Sequence, residues 1–320
     1  MKQNLLAKFT RFRAYQLGSP GSSFSYFDGA TFTLIEARLT DLNRPRVEKE
    51  MEICKVWRIG CLHITSWDTD HCNEGELKEI LDRYQPAKIE YPGYPPMSET
   101  ARRCLELIRT YKLRQNTVGV TTLIHCIDPP FINSLKSAET LGYRDIVYHP
   151  EYLSEKSNDN STIKLFRTGS FNVASLGDAE DNMISAKLRN SSIFTSEVDV
   201  MILAHHGADN GFTTNRFVRE VKPTIAICSS NYDNQYDHPR NEIREILEKY
   251  SVPLFTTKTG DVAVQSIFPH TRTYKVINLK ADSTEISSER LFTSKKSAKL
   301  RHNSDTVRNL YASVPRPFPR

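Results

Sequence analysis

Three residues that commonly bind metal ions lie within four positions of each other in the first third of the chain. The segment Ser66–His71 reads SWDTDH and contains Asp68, Asp70 and His71. Carboxylates this close repel each other and lose hydration on burial, so a cation or several donors must neutralise them. The same segment also fits a helix start, with Asp70 as the N-cap. The segment alone leaves both interpretations open, and further ligands are needed to decide between them.

Further Asp and His residues follow apolar runs downstream. Asp178 follows NVASLG, His205 and His206 follow DVMILA, and His238 lies in the YDHP segment. Each also has an ordinary alternative role. Asp178 fits a turn, His205 and His206 fit a histidine pair of the core or surface, and His238 fits a solvated loop. Adjacent histidines point in different directions, so we expect one of the pair at most to face a given site. Four strand ends that finish in Asp or His match the way α/β sheets build a site at one edge, and this pattern favours a metal centre.

The apolar periodicity predicts the elements that hold these residues. Strands are predicted at 12–17, 22–27, 30–39, 56–65, 116–124, 146–150, 162–176, 199–206, 224–230 and 252–268. Helices are predicted at 75–84, 98–113, 212–221 and 240–250, and the YPGYPPM segment is predicted to be a loop. The first three strands fit an antiparallel meander.

Composition narrows the class of protein. No stretch approaches 18 uncharged apolar residues and the N-terminus lacks an apolar leader, so we expect a cytoplasmic chain without a membrane span. Six cysteines without a CxxC pair argue against a zinc ribbon and a disulfide scaffold. The net charge is +5, and residues 281–320 hold eight basic residues against four acidic ones. We therefore predict a folded domain at 1–268 and a basic, polar C-terminal extension at 269–320.

The order of these motifs resembles the metallo-β-lactamase superfamily, and in particular its ComEC-like members, whose first metal motif is HxDxDH. SWDTDH matches that motif, and TLIEA, SNDNSTIKL, LGDAED, ILAHHG and YDHP match later family segments in the family's order. The similarity runs from about Phe12 to Ile267. It implies an α/β (α+β) fold, a four-layer αββα sandwich in which two mixed sheets face each other and the metal centre lies at one edge of the sheets.

The resemblance also implies roles for individual residues. The implied metal-site residues, with Asp178 able to bridge two ions and one of the adjacent histidines as a ligand, are Asp68, Asp70, His71, Asp178, His205, His206 and His238. Glu36 stands where the family has an acid that orients ligands through hydrogen bonds. Ser66 stands where the family has its first histidine, and because a hydroxyl is a poorer ligand, one metal site is expected to be weaker. One or two ions of zinc or manganese are implied, and magnesium also fits the carboxylates.

The function implied is hydrolysis of a phosphodiester in DNA or RNA by a metal-activated water, with Asp70 and Asp68 as catalytic residues. ComEC-like domains are associated with DNA uptake and are proposed to degrade DNA, and freestanding relatives suggest an effector in anti-phage defence. The basic extension is interpreted either as a solvated tail or as an arm that contacts phosphates through Lys295, Lys296, Lys299 and Arg301. Two alternatives are a non-catalytic module that binds nucleic acid or a protein partner, and a hydrolase of lactones, thioesters or cyclic nucleotides.

Overall fold

Two mixed sheets dominate the computed structural model, which describes residues 9–135, 144–267 and 273–296. In spatial order the larger sheet contains β15 (Ile286–Thr293), β14 (Thr273–Leu279), β13 (Val262–Ser266), β1 (Arg11–Ala14), β2 (Phe24–Phe27), β3 (Phe32–Ile35), β4 (Cys61–His63), β5 (Lys88–Pro92) and β6 (Leu123–Ile127). The smaller sheet contains β12 (Leu254–Thr256), β11 (Ile225–Cys228), β10 (Val200–Ile202), β9 (Val173–Ser175), β8 (Ile163–Phe166) and β7 (Ile146–His149).

Each sheet has an antiparallel part and a parallel part. Strands β1, β2 and β3 form the predicted antiparallel meander, and β3 to β6 run parallel. In the smaller sheet β7 to β9 are antiparallel, and β9 to β12 run parallel. The parallel strands of each sheet therefore place their carboxyl ends at a common edge, where loops can converge.

Helices cover the outer face of each sheet. The segments that follow strands β3 to β6 of the larger sheet contain α1 (Arg44–Ile53), α2 (Glu74–Tyr84), α3 (Glu99–Thr117) and α4 (Pro129–Leu135). The smaller sheet carries α5 (Asn182–Asn190), α6 (Ser192–Glu197), α7 (Asn215–Val221) and α8 (Asn241–Lys249). No helix in the described ranges has both the length and the apolar character needed to cross a bilayer.

Three buried clusters define four layers. Leu34, with Leu62 and Ile89, packs on α1 to α3, whereas its neighbour Ile35 packs between the two sheets. In the smaller sheet Met201 packs on the helices, whereas Val200 packs between the sheets. Because successive strand residues point to opposite faces, this alternation requires both faces of each sheet to be covered. The predicted αββα sandwich is confirmed.

Several element boundaries differ from the prediction. Helix α3 continues to Thr117, so the strand predicted at 116–124 begins only at Leu123. The predicted strands 162–176 and 252–268 are each two strands joined by a short connection. Helix α1 and strand β5 were not predicted, because α1 is dominated by charged residues and β5 includes the first two residues of the Pro-rich segment that was predicted to be a loop.

Residues 273–293 are part of the larger sheet. Strand β14 pairs with β13, and β15 pairs with β14, both antiparallel. Tyr274 and Val276 of β14 are buried in the cluster between the sheets. The boundary predicted at 268 therefore falls inside the sheet rather than at its end. The sequence of β15 is rich in polar residues, and this composition suggested an extension. In the structure almost all of its residues are exposed.

Candidate metal centre

Four side chains converge where the loops after β4, β9 and β10 meet at one edge of the sandwich. Asp70, His71, Asp178 and His206 each offer a ligand atom, and these four atoms all lie within 4.8 Å of one another. Residues far apart in the sequence thus meet because three loops leave neighbouring strand ends. The sequence prediction placed all four among the metal ligands.

The alternative interpretation of SWDTDH as a helix start is wrong. Helix α2 begins at Glu74, and its N-cap is Asn73, whose side chain accepts a hydrogen bond from the backbone N–H of Glu76 at 3.2 Å. The Asp70 carboxylate is therefore not used as a cap and remains within the cluster.

His71 is held from one side and directed at the cluster from the other. Its Nδ1 lies 3.2 Å from Glu36 Oε1, and its Nε2 lies 2.9 Å from Asp178 Oδ2. Glu36 is itself fixed, because it accepts hydrogen bonds from the backbone N–H and the hydroxyl of Thr65 at 3.0 and 2.6 Å. A carboxylate can only accept at Nδ1, so this contact keeps a proton there and directs Nε2 at Asp178, where a bound cation would take the Nε2 lone pair.

His206 presents the same nitrogen to the cluster. Its Nδ1 donates to the carbonyl oxygen of Ser229 at 2.8 Å, while Nε2 lies 3.3 Å from Asp70 Oδ2 and 4.0 Å from Asp178 Oδ1. Both imidazoles are thus held at Nδ1 and direct Nε2 at the carboxylates of the cluster. This is the usual arrangement of histidine ligands around a metal ion.

The charges at this site suit a cation. Burial lowers the pKa of His71, but Asp178, Glu36 and Asp70 raise it, and the result lies well above the ordinary value. Burial raises the pKa of Asp178, but His71 lowers it, and the result lies below the ordinary value. The carboxylates therefore favour a positive charge at their centre. Two carboxylates with two imidazoles form a set that zinc or manganese accepts.

The loop that carries His206 has an unusual backbone. His205 and His206 have φ angles of 44° and 53°, and Gly207 follows with 79°. Non-glycine residues rarely adopt this left-handed conformation, and each costs about 1–3 kcal/mol. A Cβ at Gly207 would lie 2.7 Å from Cβ of Pro239, so this turn also requires glycine for close packing. The strained turn directs the two histidines to different neighbours.

His205 and His238 lie beside the cluster rather than within it. Nδ1 of His205 lies 2.7 Å from Oε1 of Glu180, outside the four-ligand group. The ring of His238 stacks on His206 with centroids 6.3 Å apart and an interplanar angle of 16°. Burial and the neighbouring histidines lower the pKa of His238 to about 4, so its ring is neutral at physiological pH. Its Nδ1 is buried and has no hydrogen-bond partner within the described ranges.

Asp68 shapes the ligand loop through its backbone. Its carbonyl oxygen accepts hydrogen bonds from the N–H groups of His71 and Cys72 at 2.9 and 2.8 Å. Its carboxyl is half-buried outside the four-ligand group, and burial raises its pKa despite the opposing effect of His71. Of the three first-motif residues, the structure thus brings Asp70 and His71 into the cluster and leaves Asp68 at its border.

Ser66 faces a residue that the sequence did not single out. Its buried hydroxyl lies 3.1 Å from the hydroxyl of Tyr94, which also accepts a hydrogen bond from the backbone N–H of Trp67 at 2.9 Å. Ser66 Oγ in turn accepts from the N–H of Asp68 at 3.2 Å. The Ser66–Tyr94 pair therefore holds the ligand loop at the position where the family has a histidine. Tyr94 lies in the Pro-rich loop, where no pattern distinguishes it from other aromatic residues.

Two of the four predicted phosphate contacts have other partners. Nζ of Lys296 is fully buried and donates to the carbonyl oxygens of Arg167 and Gly169, the latter at 2.6 Å. Lys295 donates from Nζ to the carbonyl oxygen of Val221 at 3.0 Å. A buried ammonium cannot reach a solvent-exposed phosphate, so the assignment of Lys296 to nucleic-acid contact is corrected. Lys299 and Arg301 lie outside the described residues.

A cleft of about 100 Å³ opens beside the cluster. Asp70, His205, His206 and His238 form its inner wall. The rest of its lining consists of Pro20, Gly21, Ser229, Ser230, Asn231, Asn234 and Tyr236. A small polar ligand that enters this cleft reaches the candidate metal ligands directly.

The four-layer αββα architecture, with an Asp/His cluster built by loops at one edge of the sheets, is that of the metallo-β-lactamase fold. Among curated proteins, the chain is similar to ComE operon protein 3 of Bacillus subtilis (strain 168), with 28% identity over 207 residues. That match covers 63% of this chain and 24% of the relative, so the chain spans about a quarter of that protein's length. This similarity confirms the ComEC-like resemblance predicted from the motifs.

A second curated relative is Recombination protein 2 of Haemophilus influenzae, with 28% identity over 116 residues, which cover 35% of this chain and 14% of the relative. No protein-family model matches the chain.

Solved structures with a partial likeness include the metallo-beta-lactamase fold protein YhfI from Bacillus subtilis, with a TM-score of 0.46, 8% identity and coverage of 80% of this chain and 100% of that one. Another is Igni18, a metallo hydrolase from Ignicoccus hospitalis, with a TM-score of 0.43, 12% identity and coverage of 79% and 98%.

Proposed function

We propose that this chain is a metal-dependent phosphodiester hydrolase that acts on DNA or RNA, with zinc or manganese as its cation. The observation that carries the proposal is the convergence of Asp70, His71, Asp178 and His206 within 4.8 Å. These four side chains would hold a divalent cation, which would supply an activated water and offset the charge of the phosphate oxygens. The resemblance to ComEC-like domains supports nucleic acid as the substrate.

The two carboxylates of the cluster differ in exposure, and this difference divides their roles. The Asp178 side chain is 6% exposed, whereas that of Asp70 is 35% exposed and lines the cleft. A buried carboxylate held against His71 is suited to fix the cation. A carboxylate at the mouth of the cleft can also accept a hydrogen bond from an incoming water, so we assign Asp70 to orientation of the nucleophile.

The test combines metal content with cleavage of end-labelled single-stranded and double-stranded DNA and RNA, in buffers that contain zinc, manganese or magnesium. Asp178→Asn keeps the shape of the side chain but removes its charge, and we expect it to lower bound metal and reduce cleavage at least about 100-fold. Asp209→Asn is the matched control, because Asp209 is exposed and lies outside the cluster. Equal cleavage by the Asp178→Asn and wild-type proteins would overturn the proposal.

One observation favours a non-catalytic binding module as the second candidate. Ser66 replaces a family ligand, and its hydroxyl is engaged by Tyr94 instead of the cluster. If the protein binds nucleic acid but holds less than one metal ion per chain and cleaves nothing, this second candidate replaces the first.

A further inference from the structure

A row of three aromatic rings leads from the candidate cation site to the protein surface. His206 belongs to the cluster, His238 stacks on it, and Tyr236 stacks on His238 with centroids 5.6 Å apart and an interplanar angle of 25°. Tyr236 is 61% exposed although it is a large aromatic residue. It therefore contributes little to the core, and its ring is available to a ligand in the cleft that it lines.

The loop that presents Tyr236 is held in shape by one side chain. Asn234 donates from Nδ2 to the carbonyl oxygens of Asn231 and His238 at 2.9 and 3.1 Å, and its Oδ1 accepts from the N–H of His238 at 2.6 Å. These three hydrogen bonds close the loop on both sides of Tyr236. The ring is thus part of a formed surface, and little ordering is needed when a ligand stacks on it.

The chemistry of the cleft suits a nucleobase better than a run of phosphates. Its lining includes the polar residues Asn231 and Ser230, and none of its described lining residues is Lys or Arg. Hydroxyl and amide groups recognise the polar edges of a base, whereas phosphate binding in most nucleic-acid proteins depends on cationic side chains. Aromatic stacking against a base is the usual complement to such contacts.

We infer that Tyr236 is the stacking platform for one base of the substrate, next to the phosphate held at the cation site, so that the substrate is single-stranded or otherwise unpaired nucleic acid. This inference deepens the proposed function and rests on it for the identity of the substrate. In a duplex both faces of each base are covered by neighbouring bases, so a base reaches Tyr236 only when it is unstacked.

The binding test uses fluorescein-labelled oligothymidylate and a duplex of equal length, by fluorescence anisotropy in the presence of a chelator, where no cleavage occurs. Tyr236→Ala is expected to weaken single-strand binding about tenfold or more, because base stacking on an aromatic ring is lost. Tyr236→Phe keeps the ring and is expected to stay within about twofold of wild type. Tyr232→Ala is the control, since Tyr232 is 75% exposed in the same loop but does not line the cleft.

Cleavage and metal content separate failure of this inference from failure of the proposed function. With manganese, the wild type is expected to cleave the single strand faster than the duplex, and Tyr236→Ala to lose that preference while its bound metal is unchanged. If cleavage is metal-dependent but Tyr236→Ala binds and cleaves as the wild type does, the inference is overturned and the proposed function stands. If Tyr236 governs single-strand binding but no variant cleaves, the proposed hydrolase is overturned and the stacking site stands.

Discussion

His71 is the residue on which the charge of the candidate site depends. Its imidazole lies between Glu36 at Nδ1 and Asp178 at Nε2, and it is buried. Without a cation, a proton on this ring is the charge that neutralises the surrounding carboxylates. A cation and this proton therefore compete for the same position, because a protonated Nε2 has no lone pair to donate.

This competition predicts a pH dependence of metal binding. The pKa of His71 is raised well above its ordinary value, so at neutral pH the metal-free ring is protonated and the cation must displace the proton. Metal affinity should rise with pH by about tenfold per unit for each proton displaced. The measurement is a chelator-competition titration at pH 6, 7 and 8, with proton release recorded by calorimetry in buffers of different ionisation enthalpy.

The metal-free protein should show the opposite trend in stability. A group whose pKa is raised on folding stabilises the protein fully below its unfolded value, about 6.5 for His, and loses this contribution as pH rises through the folded value. The contribution of His71 to the free energy of unfolding of the metal-free protein should therefore fall above about pH 6.5. The His71→Asn variant should lack that part of the pH dependence.

For the metal-binding prediction, a metal affinity that is constant from pH 6 to 8 would contradict the assignment of His71 as a ligand.

At the scale of elements, the strands were easier to predict than the loops that make the site. Apolar runs located strands β4, β9 and β10, because each is buried on both faces. The same runs placed Asp70, His71, Asp178 and His206 directly after strand ends. What they could not give was the direction of each side chain, since that depends on hydrogen bonds to distant residues such as Glu36 and Ser229.

The pair His205 and His206 shows this limit clearly. Adjacent histidines at a strand end are equivalent in the sequence, and only the left-handed turn decides that His206 enters the cluster while His205 faces Glu180. Tyr94 and Asn234 were likewise not identified, because their roles consist of contacts to loops that are far away or irregular. Local periodicity carries no information about such contacts.

The turn itself can be tested through its glycine. Gly207→Ala forces a Cβ to within 2.7 Å of Cβ of Pro239 in addition to the strain of a positive φ. We expect a loss of about 1–3 kcal/mol in the free energy of unfolding, measured with urea. We also expect weaker metal binding, because His206 must shift when its neighbour moves.

A matched glycine isolates the packing contribution. Gly211 also has a positive φ, of 92°, but an added Cβ there meets nothing within 4 Å. Gly211→Ala should therefore show only the backbone cost and leave metal binding unchanged. Equal effects of the two substitutions on metal binding would show that the contact with Pro239 does not position His206.

At the scale of the whole molecule, the two sheets depend on one shared interior. Residues from β1, β3 and β13 of the larger sheet meet residues from β8, β10 and β11 of the smaller sheet in a single buried cluster. The loops of the candidate site leave this interior at one edge, so their positions depend on how the sheets face each other. Any change that separates the sheets should disturb the site even when no ligand is altered.

Strands β14 and β15 provide the sharpest test of this dependence, because composition suggested that they belong to a basic, polar extension. Their removal leaves β13 with an unpaired edge and takes Tyr274 and Val276 out of the shared interior. Deletion of a large buried side chain alone costs about 2–5 kcal/mol, against a total stability of about 5–15 kcal/mol for a typical domain. A chain that ends at residue 272 should therefore lose both its metal binding and the cooperative urea unfolding that circular dichroism follows.

The control is Leu291→Ala in β15, at a side chain that is 63% exposed. It should change the free energy of unfolding by less than about 0.5 kcal/mol. If the shortened chain unfolds at the same urea concentration as the full chain, β14 does not contribute to the shared interior, and the boundary at 268 is restored.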